Sequence, residues 1–454
     1  MQWLRKLFDP SAPRRLRLFR AALLGTLAAA CAYRAWLVFS LNPMDAIWSD
    51  PGRHWFFGTH PLDTQPFVAI DPVGYQVYIG ILAKLTAGSP VLVAYWTVLL
   101  SLSGPWLWYR FLRELLPSRD WALSGWVILA ALPSWSSIYS YFMQETLMLP
   151  LLGAALWTSW RCRRKSDTTS FVLAAAVWML AGLTRGICIP LAAVTMTWLW
   201  LAQGEKLQKA ALSMVLLLAV LGPLAGRSWY LVRQVSPHGM ASMNQLYSLA
   251  GVSSFSIDFS RQGGSENWSY EFMSPALTRP PFEPFSDWRS YRNGHAHFTI
   301  DLDAGGRDWK AARDSLPPWD LDRAIWLTGD NLISLFFSQS WPDSNLDRNV
   351  GRLNHWMRWI WAPLAAVCLV WTVLLRARKR ERLLPTLLLV WLLFQGLLPL
   401  AVNEGRYRKP FEGLLIAQCL LLAAGARGTQ DRRMPPNRPG LAAPPDGSLS
   451  ERSA

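Results

Sequence analysis

Cysteine is scarce in this chain, with 5 in 454 residues. They are Cys31, Cys162, Cys188, Cys368 and Cys419, and none lies between Arg233 and His355. That long polar stretch therefore has no disulfide framework. No CxxC or other zinc-type spacing occurs, which excludes a cysteine-built zinc module. A Walker loop, a dinucleotide fingerprint and an internal repeat are also missing, so a nucleotide-binding enzyme of the usual kind is disfavoured. Acidic residues are few, 30 against 45 basic, and the formal net charge is +15. A nucleic-acid partner would account for such an excess, but its distribution argues against one. From Arg233 to Arg352 there are 14 Asp/Glu against 11 Lys/Arg, so the basic excess sits elsewhere, in short links between apolar runs. That is the mark of membrane topology.

What the chain has in quantity is apolar surface: 52% hydrophobic residues, 27 tryptophans and a mean hydropathy of +0.15. Runs of about 17–25 apolar residues can cross a bilayer. Ten are read here: Ala21–Leu41, Val91–Leu112, Trp121–Tyr139, Met143–Trp160, Ser170–Leu183, Gly186–Leu201, Ala210–Val232, Trp356–Leu375, Leu383–Val402 and Pro410–Ala424. Alternate links carry the cations, from Arg14–Arg20 through Arg161–Lys165 and Arg376–Arg382 to Arg427–Arg433. The bias puts both termini in the cytoplasm and makes the chain a multi-pass membrane protein. The Arg/Pro/Ala-rich tail points to a bacterial source and hence to the cytoplasmic (inner) membrane. The expected fold is an all-α polytopic membrane protein. Residues 1–232 form an N-terminal membrane module with a first external loop at 42–90. Residues 233–355 form a large irregular external segment of short helices and loops. Residues 356–424 form the last membrane helices, and 425–454 a disordered cytoplasmic tail. Ala28-Ala29-Ala30-Cys31 imitates a lipoprotein cleavage site, but the apolar run continues to Leu41 and reads as an uncleaved span.

One cation cluster breaks the alternation. Asn403-Glu404-Gly405-Arg406-Tyr407-Arg408-Lys409 falls on the external side, between two spans. Two arginines and a lysine beside a tyrosine suit an anionic ligand such as a phosphate at the membrane surface. Gly405 and Pro410 flank the cluster and predict an extended link. Arg406 and Arg408 would then share a face, with Tyr407 turned away.

Other motifs fall on the same side, in order: Ser49-Asp50-Pro51-Gly52-Arg53-His54-Trp55, then Met143-Gln144-Glu145-Thr146, then Ala181-Gly182-Leu183-Thr184-Arg185, and Arg406-Tyr407-Arg408-Lys409-Pro410. With these, the chain resembles the integral-membrane glycosyltransferases of the GT-C fold that use polyisoprenyl-phosphate sugars. The lipid A aminoarabinose transferases and protein O-mannosyltransferases are among them. The likeness covers most of residues 18–424. It implies helices along the interface after the first span and a catalytic carboxylate in the first external loop. Many relatives have an Asp-Glu pair there. In this chain Pro51 follows Asp50, and Asp45 is a second candidate for the acting carboxylate.

The chemistry can be stated independently of the family. Inverting transfer needs a carboxylate to take the acceptor's proton, a service worth about 100- to 10,000-fold. Charge growing on a lipid-phosphate leaving group needs fixed cations. Asp50 or Asp45 suits the first role. Arg406, Arg408, Lys409, Arg185 and Arg53 suit the second, with His54, Glu145 and Tyr407 beside them. The expected partners are a polyprenyl-phosphate sugar donor, a glycan, lipid or protein acceptor, and the bilayer, with no nucleic acid. No residue is assigned as a metal ligand. A divalent metal stays open as a cofactor, because a lone carboxylate serves equally as base or ligand.

Each residue also has a plainer reading. Asp50 can cap the following helix, with Pro51 at its first position. Glu145 can be an interfacial charge, and Arg185 can snorkel to the surface. Arg34 lies inside the first span, where a charge is costly and suggests function, but it is near enough to the outer end to snorkel as well. The Arg406–Lys409 cluster can meet ordinary lipid headgroups. Asp301-Leu302-Asp303 imitates a nucleotide-sugar metal motif in the wrong compartment. His295 and His297 can bind metal or lie in a solvated loop. Two other functions compete: an O-antigen ligase or polysaccharide polymerase, and a flippase or transporter of lipid-linked sugars. A transporter should carry charges or broken helices at mid-bilayer.

Overall fold

The computed structural model describes residues 13–61, 65–202, 206–236, 251–262, 264–271, 294–305, 307–316, 318, 320–337, 383–397 and 405–431, with short pieces between 352 and 371. Asn403, Glu404, His238, His355, Cys368, Trp288, Trp319 and Trp341 lie outside the described residues.

The chain is predominantly α-helical. A long helix α1 (Arg14–Ser40) is followed by two short ones, α2 (Ser49–Thr59) and α3 (Val73–Thr86). Next come α4 (Pro90–Leu115), α5 (Arg119–Ala131), α6 (Pro133–Ser137), α7 (Gln144–Lys165), α8 (Thr168–Thr184), α9 (Cys188–Ala202) and α10 (Lys206–Val232). Local chemistry sets these boundaries. Pro90 opens α4 at a position that needs no N–H donor. Ser166 turns left-handed (φ 57°) to end α7, and Asp167 then caps α8 by accepting from Ser170 N at 2.7 Å. That two-residue link folds α7 back on α8.

Among the described residues, three helices are long and apolar enough to cross a membrane: Arg14–Ser40, Pro90–Leu115 and Leu207–Val232. Arg119–Ala131 and Pro133–Ser140, bent by 59° at their break, make a fourth when taken together. The stretches expected to span at Ser170–Leu183 and Gly186–Leu201 form the shorter apolar helices α8 and α9, below the length of those three.

The break between α5 and α6 is held by an arginine from α1. Arg34 is fully buried. Its Nε donates to Ala130 O (2.7 Å), Nη2 to Leu129 O (3.0 Å), and Nη1 to Trp135 O (2.9 Å) and Ser101 Oγ (2.9 Å). A guanidinium meets the carbonyls that the broken helix leaves unpaired, at the negative end of α5. The snorkelling expected for Arg34 is thereby overturned: its donors are used inside.

The segment after α10 departs in part from the short helices and loops expected of it. Strands β1 (Ser254–Arg261), β2 (Gly264–Glu271) and β3 (His295–Asp301) form a sheet in the order β2-β1-β3. β1 is antiparallel to β2 and parallel to β3. The physical reason is alternation. Phe255, Ile257 and Phe259 face a core with Trp268, Ile300 and Trp309, and the residues between them are polar. Helices α11 (Asp308–Asp314) and α12 (Leu321–Phe337) follow, then α13 (Leu383–Leu392) and α14 (Lys409–Asp431). α14 runs seven residues past Ala424, so the start of the tail expected to be disordered continues the helix. Residues 432–454 lie outside the described ones.

Candidate active site

Helices α2 and α3 cross at two glycines. A Cβ on Gly58 would come within 2.4 Å of Ile79, and one on Gly80 within 2.7 Å of Gly58 O. Only a bare backbone permits that approach. Trp55 of α2 also stacks on Phe142 just before α7, with centroids 4.9 Å apart. The first turn of α2 is thereby fixed against the start of α7.

Asp50 lies in that turn. Its neighbour Ser49 has φ 50°, a left-handed value that non-glycine residues adopt at a cost. The carboxylate does not cap the helix, contrary to the plainer reading. Oδ1 accepts from Arg53 Nη1 at 2.6 Å, and Oδ2 accepts from both terminal nitrogens of Arg406 at 3.3 Å. Arg53 is clamped in turn by Asp71, through Nε to Oδ2 (2.7 Å) and Nη2 to Oδ1 (3.1 Å). Gln144 Nε2 donates to the same Asp71 Oδ1 at 3.3 Å. His54 Nδ1 lies 3.2 Å from Asp71 Oδ2, close enough to feel its charge but off the line a hydrogen bond needs.

The electrostatics follow from these contacts. Burial pushes the Asp50 carboxyl up, but Arg406 and then Arg53 outweigh it and hold its pKa below the ordinary value. Burial acts the same way on Asp71, where Arg53 and then His54 win and hold it well below the usual carboxylate range. Burial opposes the Arg53 charge, yet Asp71 and Asp50 raise its pKa. All three groups are ionised at neutral pH.

Glu145, fully buried at the start of α7, adds a third carboxylate. Its Oε1 pairs with Arg185 Nη1 and lies 3.9 Å from Arg406 Nε. Its Oε2 is buried with no hydrogen-bond partner among the described residues. Tyr407 lies between two guanidinium groups, with its ring centroid 4.4 Å from Arg185 and 5.2 Å from Arg406. Three carboxylates and three arginines therefore meet in one partly buried cluster. An apolar cavity of about 460 Å³ comes close to the cluster in sequence. The cavity lies among α8, α9 and α10, and Leu183, two residues before Arg185, is in its wall.

Three expected site residues stand apart. The link Gly405–Arg408 is a 3-10 turn rather than extended. With three residues per turn, positions two apart point in different directions. Arg406 reaches Asp50, whereas Arg408 is buried against Glu412 (2.9 Å) and the carbonyls of Leu335 (2.9 Å) and Phe336 (2.8 Å) at the end of α12. Lys409 Nζ donates to Ser134 O, and Trp135 Nε1 donates back to Lys409 O at 3.0 Å. Arg408 and Lys409 thus brace α14 against α12 and the α5–α6 break. Tyr407, expected to turn away, faces the cluster. Asp45 is exposed on the turn Pro43–Ala46, and among the described residues no hydrogen bond or ion pair joins its side chain to the arginine network.

Asp71 and Gln144 are members of the cluster that the sequence reading did not select. The only local signal is Asp71-Pro72 before a helix, which also describes an ordinary turn. No family model matches this chain, and no curated protein or solved structure matches it.

Proposed function

We propose that this chain is an integral-membrane glycosyltransferase of GT-C type. It crosses the cytoplasmic membrane ten times with both termini inside. It moves a sugar from a polyprenyl-phosphate donor to an acceptor at the outer face. The observation that carries this reading is the Arg53–Asp50–Arg406 bridge, with Arg185 of the same cluster two residues from the wall of an apolar cavity. A polyprenyl-phosphate sugar has an apolar chain, one phosphate and an electrophilic carbon, and these features match the groups gathered here. The two short helices after the first long one also fit the GT-C expectation.

In this account the donor phosphate takes the place of the Asp50 carboxylate on Arg406, with Arg185 and Tyr407 beside it. The contacts from Arg406 to Asp50 are the long ones, at 3.3 Å, and are the ones a phosphate displaces. Asp50 Oδ2 is then available to the acceptor hydroxyl, while Arg53 keeps Oδ1 in place. Loss of a neighbouring cation raises the carboxylate's basicity. The acceptor oxygen attacks the anomeric carbon, its proton passes to Asp50, and the lipid phosphate leaves with both electrons of the old bond. Fixed cations stabilise that leaving charge.

A transporter of lipid-linked sugars is the second reading. The 59° break between α5 and α6, with Arg34 beside it, favours it. All three guanidinium nitrogens of Arg34 are bonded to the protein itself, which favours a structural role. Mass spectrometry of envelope lipids and glycans from cells lacking the chain separates the readings. A transferase predicts accumulation of one polyprenyl-phosphate monosaccharide at the outer face and loss of that sugar from a glycan, lipid or protein. Accumulation confined to the inner leaflet would contradict it.

A further inference from the structure

A second polar cluster lies on the sheet and plays no part in the proposed transfer. The strand alternation that buries Phe255, Ile257 and Phe259 turns Ser254, Ser256 and Asp258 to the opposite face. His295 and His297, two apart on β3, fall on that same face because side chains repeat every second residue. Register sets His295 beside Ser254 and His297 beside Ser256. The solvated loop that was the plainer expectation for these histidines is not what forms.

Four contacts define the geometry. His295 Nε2 lies 2.9 Å from Ser256 Oγ, and His297 Nδ1 lies 2.7 Å from the same oxygen. The far nitrogen of each ring is also held. His295 Nδ1 is 2.8 Å from Ser254 Oγ, and His297 Nε2 is 3.2 Å from Asp258 Oδ2. Asn267 Nδ2 donates to Asp258 Oδ1 and fixes the carboxylate from β2. The two rings are nearly parallel, 20° apart, with centroids separated by 6.5 Å.

Two imidazole nitrogens therefore face one point, and the opposite nitrogen of each ring has an orienting partner. Metal-binding histidines divide their nitrogens in this way, one on the metal and the other on a carboxylate or other acceptor. We propose that His295 Nε2 and His297 Nδ1 bind one divalent transition-metal ion, with Asp258 and Ser254 orienting the rings. Imidazole suits zinc, copper and nickel, and not magnesium or calcium. Among the described residues no three His, Cys, Asp or Glu side chains converge. The site is therefore a two-histidine one, completed by water or the Ser256 hydroxyl. Metal–nitrogen bonds are about 2.0–2.1 Å, so both rings must close in from their hydrogen-bond distances on binding. The His297 side chain is 51% exposed and has room to move.

The test is calorimetric titration of the full-length protein, purified in detergent with any affinity tag removed, with zinc chloride and with copper(II) chloride. Paramagnetic resonance of the copper form supplies a second readout. The expected result is one ion per chain and a two-nitrogen signature in the spectrum. His295→Gln and His297→Gln should each leave one of those nitrogens and weaken binding at least tenfold. Asp258→Asn should weaken it about 10- to 100-fold, as loss of an orienting partner does. Absence of saturable binding by the wild type, or wild-type affinity in the double variant His295→Gln/His297→Gln, would overturn the proposal. The wild-type spectrum counts nitrogens even where a variant folds poorly. Neither readout depends on transferase activity.

Discussion

Asp50 and Arg406 are 356 positions apart in sequence, yet both terminal nitrogens of Arg406 lie 3.3 Å from one oxygen of Asp50. The neighbouring cation, Arg408, is two residues from Arg406 and takes no part in that contact. A single 3-10 turn separates a cation that faces the cluster from one that braces the fold.

That separation predicts unlike behaviour from like substitutions. Arg406→Lys keeps a charge but loses the planar fork, and should raise the apparent donor KM or lower turnover several-fold, with Arg406→Ala worse. Both should cost less stability than loss of Arg408, because Asp50 keeps Arg53 and Glu145 keeps Arg185. Arg408→Ala strands the fully buried Glu412 and should cost about 3–5 kcal/mol of stability. Donor titration and thermal unfolding, run on the same preparations, check the pair.

Much of the candidate site was legible in the sequence. Asp50, Arg53, Glu145, Arg185 and Arg406 were selected by residue type and by their place beside apolar spans, and they meet. Arg408 was misassigned because a charge run says nothing of which side chains turn inward. That depends on whether the link is extended or coiled, and Gly405 and Pro410 do not decide it. Asp71 went unselected because its role comes from Arg53, eighteen positions earlier, and is invisible locally. The sheet had a readable signal in Ser254-Phe255-Ser256-Ile257-Asp258-Phe259-Ser260, whose alternation marks a strand. A Pro- and Gly-rich setting hid it. Arg34 looked like a surface-seeking cation because its acceptors are carbonyls about a hundred positions away.

Acid should leave the cluster intact until the carboxylates protonate. Asp50 and Asp71 both have pKa values lowered by folding, so the native state binds their protons less tightly than the unfolded chain does. Their stabilising pairs are fully present above the unfolded pKa near 3.9 and are lost only as pH falls below it. Melting temperature in detergent should therefore show no pH dependence from these two carboxylates between about pH 7 and 4.5 and fall below that. Asp71→Asn should lower the plateau and flatten the acid limb. An unchanged acid limb in that variant would remove Asp71 from the account.

Arg34 should matter for folding far more than Arg20, another arginine of the same helix. Arg34→Leu leaves several buried carbonyls without donors, at about 1–3 kcal/mol each. Arg20 pairs with Asp120 at a partly exposed site, and Arg20→Ala should cost about 1 kcal/mol or less. Unfolding temperatures of the two variants, with yields of monodisperse protein, give the comparison.

Orientation follows from the basic links. In a variant without the native cysteines, Ser265→Cys should react with a membrane-impermeant thiol reagent in intact cells, and Ser166→Cys should not. Both positions are exposed in the fold, so accessibility from outside is what differs. Labelling at Ser166→Cys alone would invert the topology.

In the proposed transfer Asp50 takes the acceptor's proton while Arg406 holds the donor phosphate. That division of roles is tested most directly by the rate of sugar transfer from a polyprenyl-phosphate donor, compared between wild type and Asp50→Asn. The substitution keeps size and removes the carboxylate. Turnover should fall by at least about a hundredfold, with near-normal expression and a melting temperature lowered only modestly, since the Arg53–Asp71 pair remains. Turnover within a few-fold of wild type would contradict the account.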